Sequence, residues 1–159
     1  MHKLVMVSAV VALGGALAIS ALPASGQDTR PTATLVLTGT ERPADQKTID
    51  LKPRGESVGD RIISAETLRH DGTPVAREVG ECLLVDPRYE GAQCTFTIMF
   101  HDGIVIGQGA SLSKRVPGVD PTNDEFAIVA GTGRYARASG TVRVESTRTG
   151  HRVTIRFAS

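Results

Sequence analysis

The chain contains no tryptophan, and its 159 residues include only four phenylalanines and two tyrosines. A core must therefore be built from Val, Ile and Leu, with a few rings at particular positions. Charge of either sign is also nearly absent in the balance, since the formal net charge is +1. Residues 1–26 hold one of the 18 basic residues and none of the acidic ones, which leaves 17 of each beyond them. A neutral chain of this kind gives no electrostatic argument for a nucleic-acid or anionic-membrane partner. Beyond residue 26 there is no His-x-His or His-x-x-x-His spacing, so no metal site is read from the sequence. No serine stands in a Gly-x-Ser-x-Gly context, which removes the usual argument for a hydrolase nucleophile. No segment combines helical periodicity with caps.

What is present begins with Met1-His2-Lys3, a short basic head, followed by an apolar, alanine-rich run over 4–22. Pro23 breaks the run, and Ala24-Ser25-Gly26 offers small residues for cleavage. Residues 1–26 thus read as a secretory signal, and the protein is expected to be exported without stable membrane insertion after cleavage. An uncleaved single anchor is the competing reading. The remainder, 27–159, is long enough for one domain with one core. Its two cysteines, Cys82 and Cys94, form an even count in an exported chain and point to one disulfide, with two buried thiols as the alternative. Closing so short a loop stabilises by about 3 kcal/mol in the chain-entropy model.

Val, Ile, Thr and Phe gather in short runs bounded by Gly, Asp, Pro or Asn, the pattern of strands and turns. The runs place strands over 33–38, 61–69, 74–85, 93–101, 104–112, 125–130, 139–147 and 151–157. Residues 39–59 read as a long polar loop over one end, with room for a brief strand at Ile49 and Leu51. Asp71-Gly72 and Asp102-Gly103 are hairpin signals, and 113–124 is a loop carrying Pro and Gly. Eight mostly antiparallel strands predict an all-β fold, an eight-stranded antiparallel β-barrel of calycin-like type. A two-sheet β-sandwich is the alternative.

The turns also sketch which faces point inward. The Asp102-Gly103 hairpin sets Phe100 opposite Val105, Ile98 opposite Gly107 and Phe96 opposite Gly109, large residues against glycines on a curved wall. Phe96, Ile98, Phe100 and Val105 are thereby the expected ligand-lining residues. Cys94 shares their face, and a turn centred near Arg88 brings Cys82 across from it. The Asp71-Gly72 hairpin pairs Glu66 with Arg77 and Ala65 with Glu78. Without a bulge Glu78 faces the interior and Glu66 the solvent; a bulge at Gly80 reverses them. One of the two carboxylates is then a candidate for acid–base work; the competing reading makes both solvated surface charges.

Gly131-Thr132-Gly133-Arg134-Tyr135-Ala136 matches the spacing of a dinucleotide-binding loop. That mechanism needs a helix N-terminus within a βαβ unit, and here a predicted hairpin follows instead. No cofactor is expected. Gly131 and Gly133 are read as a tight reversal between strands, with Tyr135 plugging an end of the core.

Taken together, 59–63, Gly80-Glu81-Cys82, Cys94-Thr95-Phe96, Gly107-x-Gly109 and the long segment 126–140 resemble the allene oxide cyclase-like and dirigent-like barrels. The resemblance covers roughly 59–157 and is most specific in the glycine-turn segment. It implies an eight-stranded barrel whose cavity takes a hydrophobic small molecule, and a homo-oligomer, dimer or trimer. It also implies catalysis by holding a reactive substrate in one geometry, through cyclisation or stereoselective coupling. Cys82 matches a cavity cysteine of the cyclases. Their acidic residue on the first strand has no counterpart, since Leu37 and Thr38 stand near that place. Two further readings remain open: a carrier or sequestering barrel for a lipid-like ligand, and a filled barrel acting through its surface.

Overall fold

A computed structural model describes residues 34–40, 42–112 and 124–158. The predicted signal at 1–26 and most of the predicted loop at 113–124 lie outside the described residues. Nine strands are present among those residues: β1 (Thr34–Gly39), β2 (Gln46–Ile49), β3 (Arg61–His70), β4 (Thr73–Asp86), β5 (Gly91–Phe100), β6 (Gly103–Leu112), β7 (Asp124–Gly133), β8 (Gly140–Thr147) and β9 (Gly150–Phe157). The described residues contain no α-helix, only a 3-10 turn at Pro43–Asp45.

The ladder runs β1-β9-β8-β7-β6-β5-β4-β3, and a pairing of Thr38 with Arg69 joins β3 back to β1. Eight antiparallel strands therefore close into a barrel, which decides against the sandwich. β2 is the ninth strand. It lies in the predicted 39–59 loop and pairs Gln46–Ile49 with the first residues of β3, from Ser64 to Arg61. It thereby covers part of an edge that β1 reaches only at the far end of β3, and an exposed edge is a liability for any sheet.

Alternation along each strand sends one side chain in and the next out. Leu37, Leu68, Ile98, Val105, Val142, Val153 and Ile155 meet in the middle of the barrel and are fully buried. The two ends differ. At one, Tyr135 packs against Phe100 and Phe157, with ring centroids 5.0 and 5.6 Å away. At the other end lie Gly39, the β4–β5 turn, the last residue of β6 and the β8–β9 turn, and the barrel is hollow there.

Two registers differ from those expected. The β5–β6 loop is His101-Asp102, so Phe100 pairs with Gly103, Ile98 with Val105, Phe96 with Gly107 and Cys94 with Gly109. A slip of two residues leaves every face as expected, and Phe96 still packs on a glycine. A Cβ at Gly107 would collide with the tip of the Phe96 ring.

The β3–β4 hairpin has the expected register only beside its turn, where His70 pairs with Thr73 and Arg69 with Pro74. Then Leu68 pairs with Ala76, leaving Val75 as an extra residue. Pro74 has no N–H to give to the ladder, which favours a bulge at that point. No irregularity occurs at Gly80. The bulge places Glu66 directly opposite Glu78 and Thr67 opposite Arg77. Both glutamates thus share the inward face, in place of the single one expected.

Candidate functional site

At the hollow end two adjoining cavities share Cys82, Cys94 and Ser111 in their walls. The inner one, about 280 Å³, is lined by Glu66, Glu78, Phe96, Asp124, Phe126, Val144 and His151, among others. The outer one, about 480 Å³, lies under the 50–60 segment and is bordered by Ile62, Leu84 and Ala92 with Asp50 and Asp60. Together they offer the space of an ordinary small-molecule site.

Glu66 is the centre of the inner cavity. It is 4% exposed. Its Oε1 lies 2.5 Å from Nε2 of His151, so an imidazole N–H donates to the carboxylate. Its Oε2 is buried with no hydrogen-bond partner among the described residues. The pair fits only because β1 ends in glycine. Gly39 sits opposite His151 in the β1–β9 ladder. A Cβ there would lie 2.8 Å from Glu66 Cδ, and closer to Glu66 Oε2 and His151 Nε2. Directly opposed like charges destabilise a sheet, and His151 offsets the meeting of Glu66 with Glu78.

The walls are mixed, with two aromatic rings among polar side chains. Phe96 and Phe126 meet edge to face at 5.2 Å, and a Cβ on Gly109 would come within 2.9 Å of the Phe126 ring. Cys82 and Cys94 face each other across β4 and β5 and form a disulfide, which fastens the wall where the cavities meet. Asp124 opens β7. Burial pushes its carboxyl above the ordinary aspartate value, against a hydrogen bond from the Ser111 hydroxyl.

The outer cavity is roofed by a segment tied to Asp60. The Asp60 carboxylate accepts hydrogen bonds from the Leu51 amide at 2.7 Å, the Ser57 amide at 2.8 Å and the Ser57 hydroxyl at 3.0 Å. The two amides, Leu51 foremost, hold it below the usual aspartate range. Its own carbonyl accepts from the Leu84 amide, while the Gly59 amide donates to Leu84. The roof is thus bonded to β4.

The expected ligand-lining residues divide among three places. Phe96 stands in the inner cavity wall. Ile98 and Val105 are fully buried in the packed middle. Phe100 belongs to the opposite end, where it borders a separate pocket of about 450 Å³ with His70, His101, Asp102 and Tyr135. Gly131 and Gly133 lie in β7 itself, pairing with Val105 and Gly103. The reversal comes after them, where the Tyr135 amide donates to Thr132 and the Ala136 amide to Gly133. Tyr135 is 6% exposed and fills the space where β7 leaves β8.

Sequence reasoning missed His151 and Asp124. The missed signal was parity: Val153 and Ile155 face inward, so His151 does too. Among the described residues no group of three His, Cys, Asp or Glu has the geometry to hold a metal ion.

The fold and the cavity define a closed antiparallel barrel with one hollow end. No protein-family model matches the chain, and no curated protein sequence matches it. Among solved structures it is similar to pyocyanin demethylase, at 24% identity and a TM-score of 0.65 over 79% of this chain and 100% of that one. A pterocarpan synthase dirigent protein matches at 18% identity and TM-score 0.59, over 79% of this chain and 92% of that one. A nonspecific heme-binding cyclase, which catalyses a [4 + 2] cycloaddition in neoabyssomicin biosynthesis, matches at 16% and 0.59 over 79% and 65%. The likeness is one of fold, and the fold is that of the dirigent and allene oxide cyclase-like barrels.

Proposed function

We propose that this protein is an exported barrel that binds a hydrophobic small molecule at its hollow end and directs its cyclisation or coupling. The buried Glu66–His151 pair in a cavity walled in part by Phe96 and Phe126 carries this reading. A carboxylate and an imidazole in direct contact can take a proton from one atom of a bound substrate and return it to another, a redox-neutral rearrangement. The aromatic walls and the disulfide-fastened β4–β5 pair would hold the substrate in one reactive geometry. Phe96 lines the site in this reading, and Glu78 stands as a second carboxylate across the ladder. The similar barrels, a demethylase, a dirigent protein and a cyclase by name, support small-molecule chemistry in this fold. The signal-like segment 1–26 and the disulfide support export.

Native mass spectrometry of the protein purified from its own host tests the reading. A small molecule should co-purify and be released on denaturation. Incubated with fresh protein, that compound or its precursor should be converted, and Glu66→Gln should abolish conversion while retaining the ligand. Binding without conversion by either form would make the protein a carrier. Absence of any retained compound, with no conversion of host extracts, would refute the proposal.

A further inference from the structure

We propose that the inner cavity selects a rigid apolar compound with a hydrogen-bond donor at one end and an acceptor at the other, as in a hydroxyaryl ketone. The donor meets Glu66 Oε2, and the acceptor meets the carboxyl proton of Asp124 on the facing wall. This deepens the small-molecule reading above and rests on it.

The ring of strands sets the axis. Closure through β1 and β3 leaves three strands between β3 and β7 in either direction. Glu66 on β3 and Asp124 on β7 therefore line one cavity from opposite sides. Glu78 and Glu81 stand on β4, beside β3 and not across from it. The two ends of the axis differ in their partners. Glu66 is more than nine-tenths buried, receives the His151 N–H on Oε1 and leaves Oε2 with no donor among the described residues. A buried acceptor left unsatisfied is unfavourable, and any ligand O–H or N–H supplies what is missing. Asp124 has a hydroxyl, that of Ser111, for a partner and no cation among the described residues. Burial favours its neutral form, and a second carboxyl across an enclosed cavity acts in the same direction. The acid form has an O–H to give, which a ligand carbonyl oxygen accepts. Between the two ends Phe96 and Phe126 supply aromatic surface in the same lining, and such surface favours a flat apolar skeleton. A pure hydrocarbon would leave both ends unpaired.

Three probes of one shape test the two ends: 4-hydroxyacetophenone, 4-methylacetophenone without the donor, and 4-ethylphenol without the acceptor. They are titrated by ligand-observed nuclear magnetic resonance at about pH 5. The hydroxyketone should bind at least about tenfold tighter than the methyl ketone and about fivefold tighter than the ethylphenol. Raising the pH to about 7 should lower the advantage over the ethylphenol, because an ionised Asp124 faces the carbonyl with an acceptor. Glu66, Glu78, Glu81 and His151 also titrate in this lining, but both probes carry the same phenol toward them. Asp124→Asn keeps an amide N–H to donate at every pH, so in that variant the advantage should stay constant. Glu66→Gln should cut the advantage of the hydroxyl to about threefold or less. If Glu66→Gln fails to fold by circular dichroism, the Asp124 comparison decides. A methyl ketone that binds as tightly as the hydroxyketone would overturn the proposal and leave the small-molecule reading standing. So would an advantage over the ethylphenol that is absent, or that follows pH identically in the parent and Asp124→Asn. No binding by any of the three would also overturn it, and the small-molecule reading would then stand or fall on its co-purified compound.

Discussion

Substituting Gly39 by alanine adds one methyl group to the barrel and should cost more than most core deletions. Gly39 needs no left-handed backbone, so alanine is tolerated by the strand itself and should recover about 0.5–1 kcal/mol of chain entropy. The new Cβ, however, would fall 2.8 Å from Glu66 Cδ and nearer still to Glu66 Oε2 and His151 Nε2. The retreat open to both side chains is into the cavity they line, and it draws them apart. Separating the buried Glu66 carboxyl from the His151 ring costs about 3–5 kcal/mol, since it leaves a buried polar group without its partner. The net expectation is a loss of about 2–4 kcal/mol, or roughly 10 °C in Tm for a domain of this size. Urea denaturation followed by far-ultraviolet circular dichroism suits a chain without tryptophan. The decisive comparison is Gly39→Ala in a Glu66→Ala background, where the imidazole can move into the vacated space. There the added methyl should be nearly neutral, giving a coupling of at least about 2 kcal/mol. If Gly39→Ala were within about 0.5 kcal/mol of the parent, or equally harmful in both backgrounds, the Glu66–His151 pair would not be what requires a glycine at this position.

Three further expectations follow from the same contacts. Reducing the Cys82–Cys94 disulfide, whose partners are 12 residues apart, should lower stability by about 3 kcal/mol; intact mass should rise by two hydrogens, and free thiols in the non-reduced protein would refute the bond. Asp60 has a folded pKa below its unfolded one because the Leu51 and Ser57 amides stabilise the carboxylate. Its stabilisation is therefore complete above the unfolded value and lost as pH falls through the folded one; on acidification the urea midpoint should fall more steeply in the parent than in Asp60→Asn, and parallel curves would contradict this. Burial, and then the charge of Asp102, raise the Tyr135 pKa above the ordinary tyrosine value. Its contribution is thus present below the unfolded value and lost as pH rises through the folded one. In a Tyr89→Phe variant, tyrosinate absorbance should rise only above about pH 10; a rise below that would refute burial of the ring.

The strand runs were legible because Val, Ile and Thr alternate between turn signals, and alternation survives small errors of register. Its parity explains which inferences held. At the β5–β6 hairpin the loop begins one residue earlier than Asp102-Gly103 implies, so the pairing slips by two. A slip of two keeps Phe96, Ile98, Phe100 and Cys94 on the inner face. At the β3–β4 hairpin the slip is one, and a slip of one turns a strand over. The cue was Pro74, which cannot donate to the ladder, rather than Gly80, where β4 stays regular. Short β2 was legible only in part: Ile49 and Leu51 mark room for a brief strand, and the strand that forms spans Gln46–Ile49, three of its four residues polar. The Glu66–His151 contact spans 85 residues of sequence, and nothing local announces it. Only the barrel's closure brings β9 and β3 to either side of β1.

The position of the cavity follows from a gradient that runs along six of the eight inward-facing series; β4, which presents Leu84, Cys82, Gly80, Glu78 and Ala76, does not share it. From the hollow end toward the aromatic end, β1 presents Gly39, Leu37 and Leu35, and β3 presents Ser64, Glu66 and Leu68. β5 presents Cys94, Phe96, Ile98 and Phe100; β7 presents Asp124, Phe126 and Ile128. β8 presents Ser146, Val144 and Val142, and β9 presents His151, Val153, Ile155 and Phe157. At the level of the inner cavity small or polar residues come first in these six series and bulky apolar ones later. A barrel of eight strands has an interior that side chains can just fill, so this gradient packs one end and leaves the other open. The polar residues at the hollow end are a poor choice for stability, because each buried charge needs a partner. Six strands nevertheless place their polar or small positions at the same level, where Gly39 makes room for two titratable side chains to touch. A fold selected for packing alone would have continued the Val and Leu pattern to both ends, so the departure from that pattern is the strongest physical mark of a functional site in this chain.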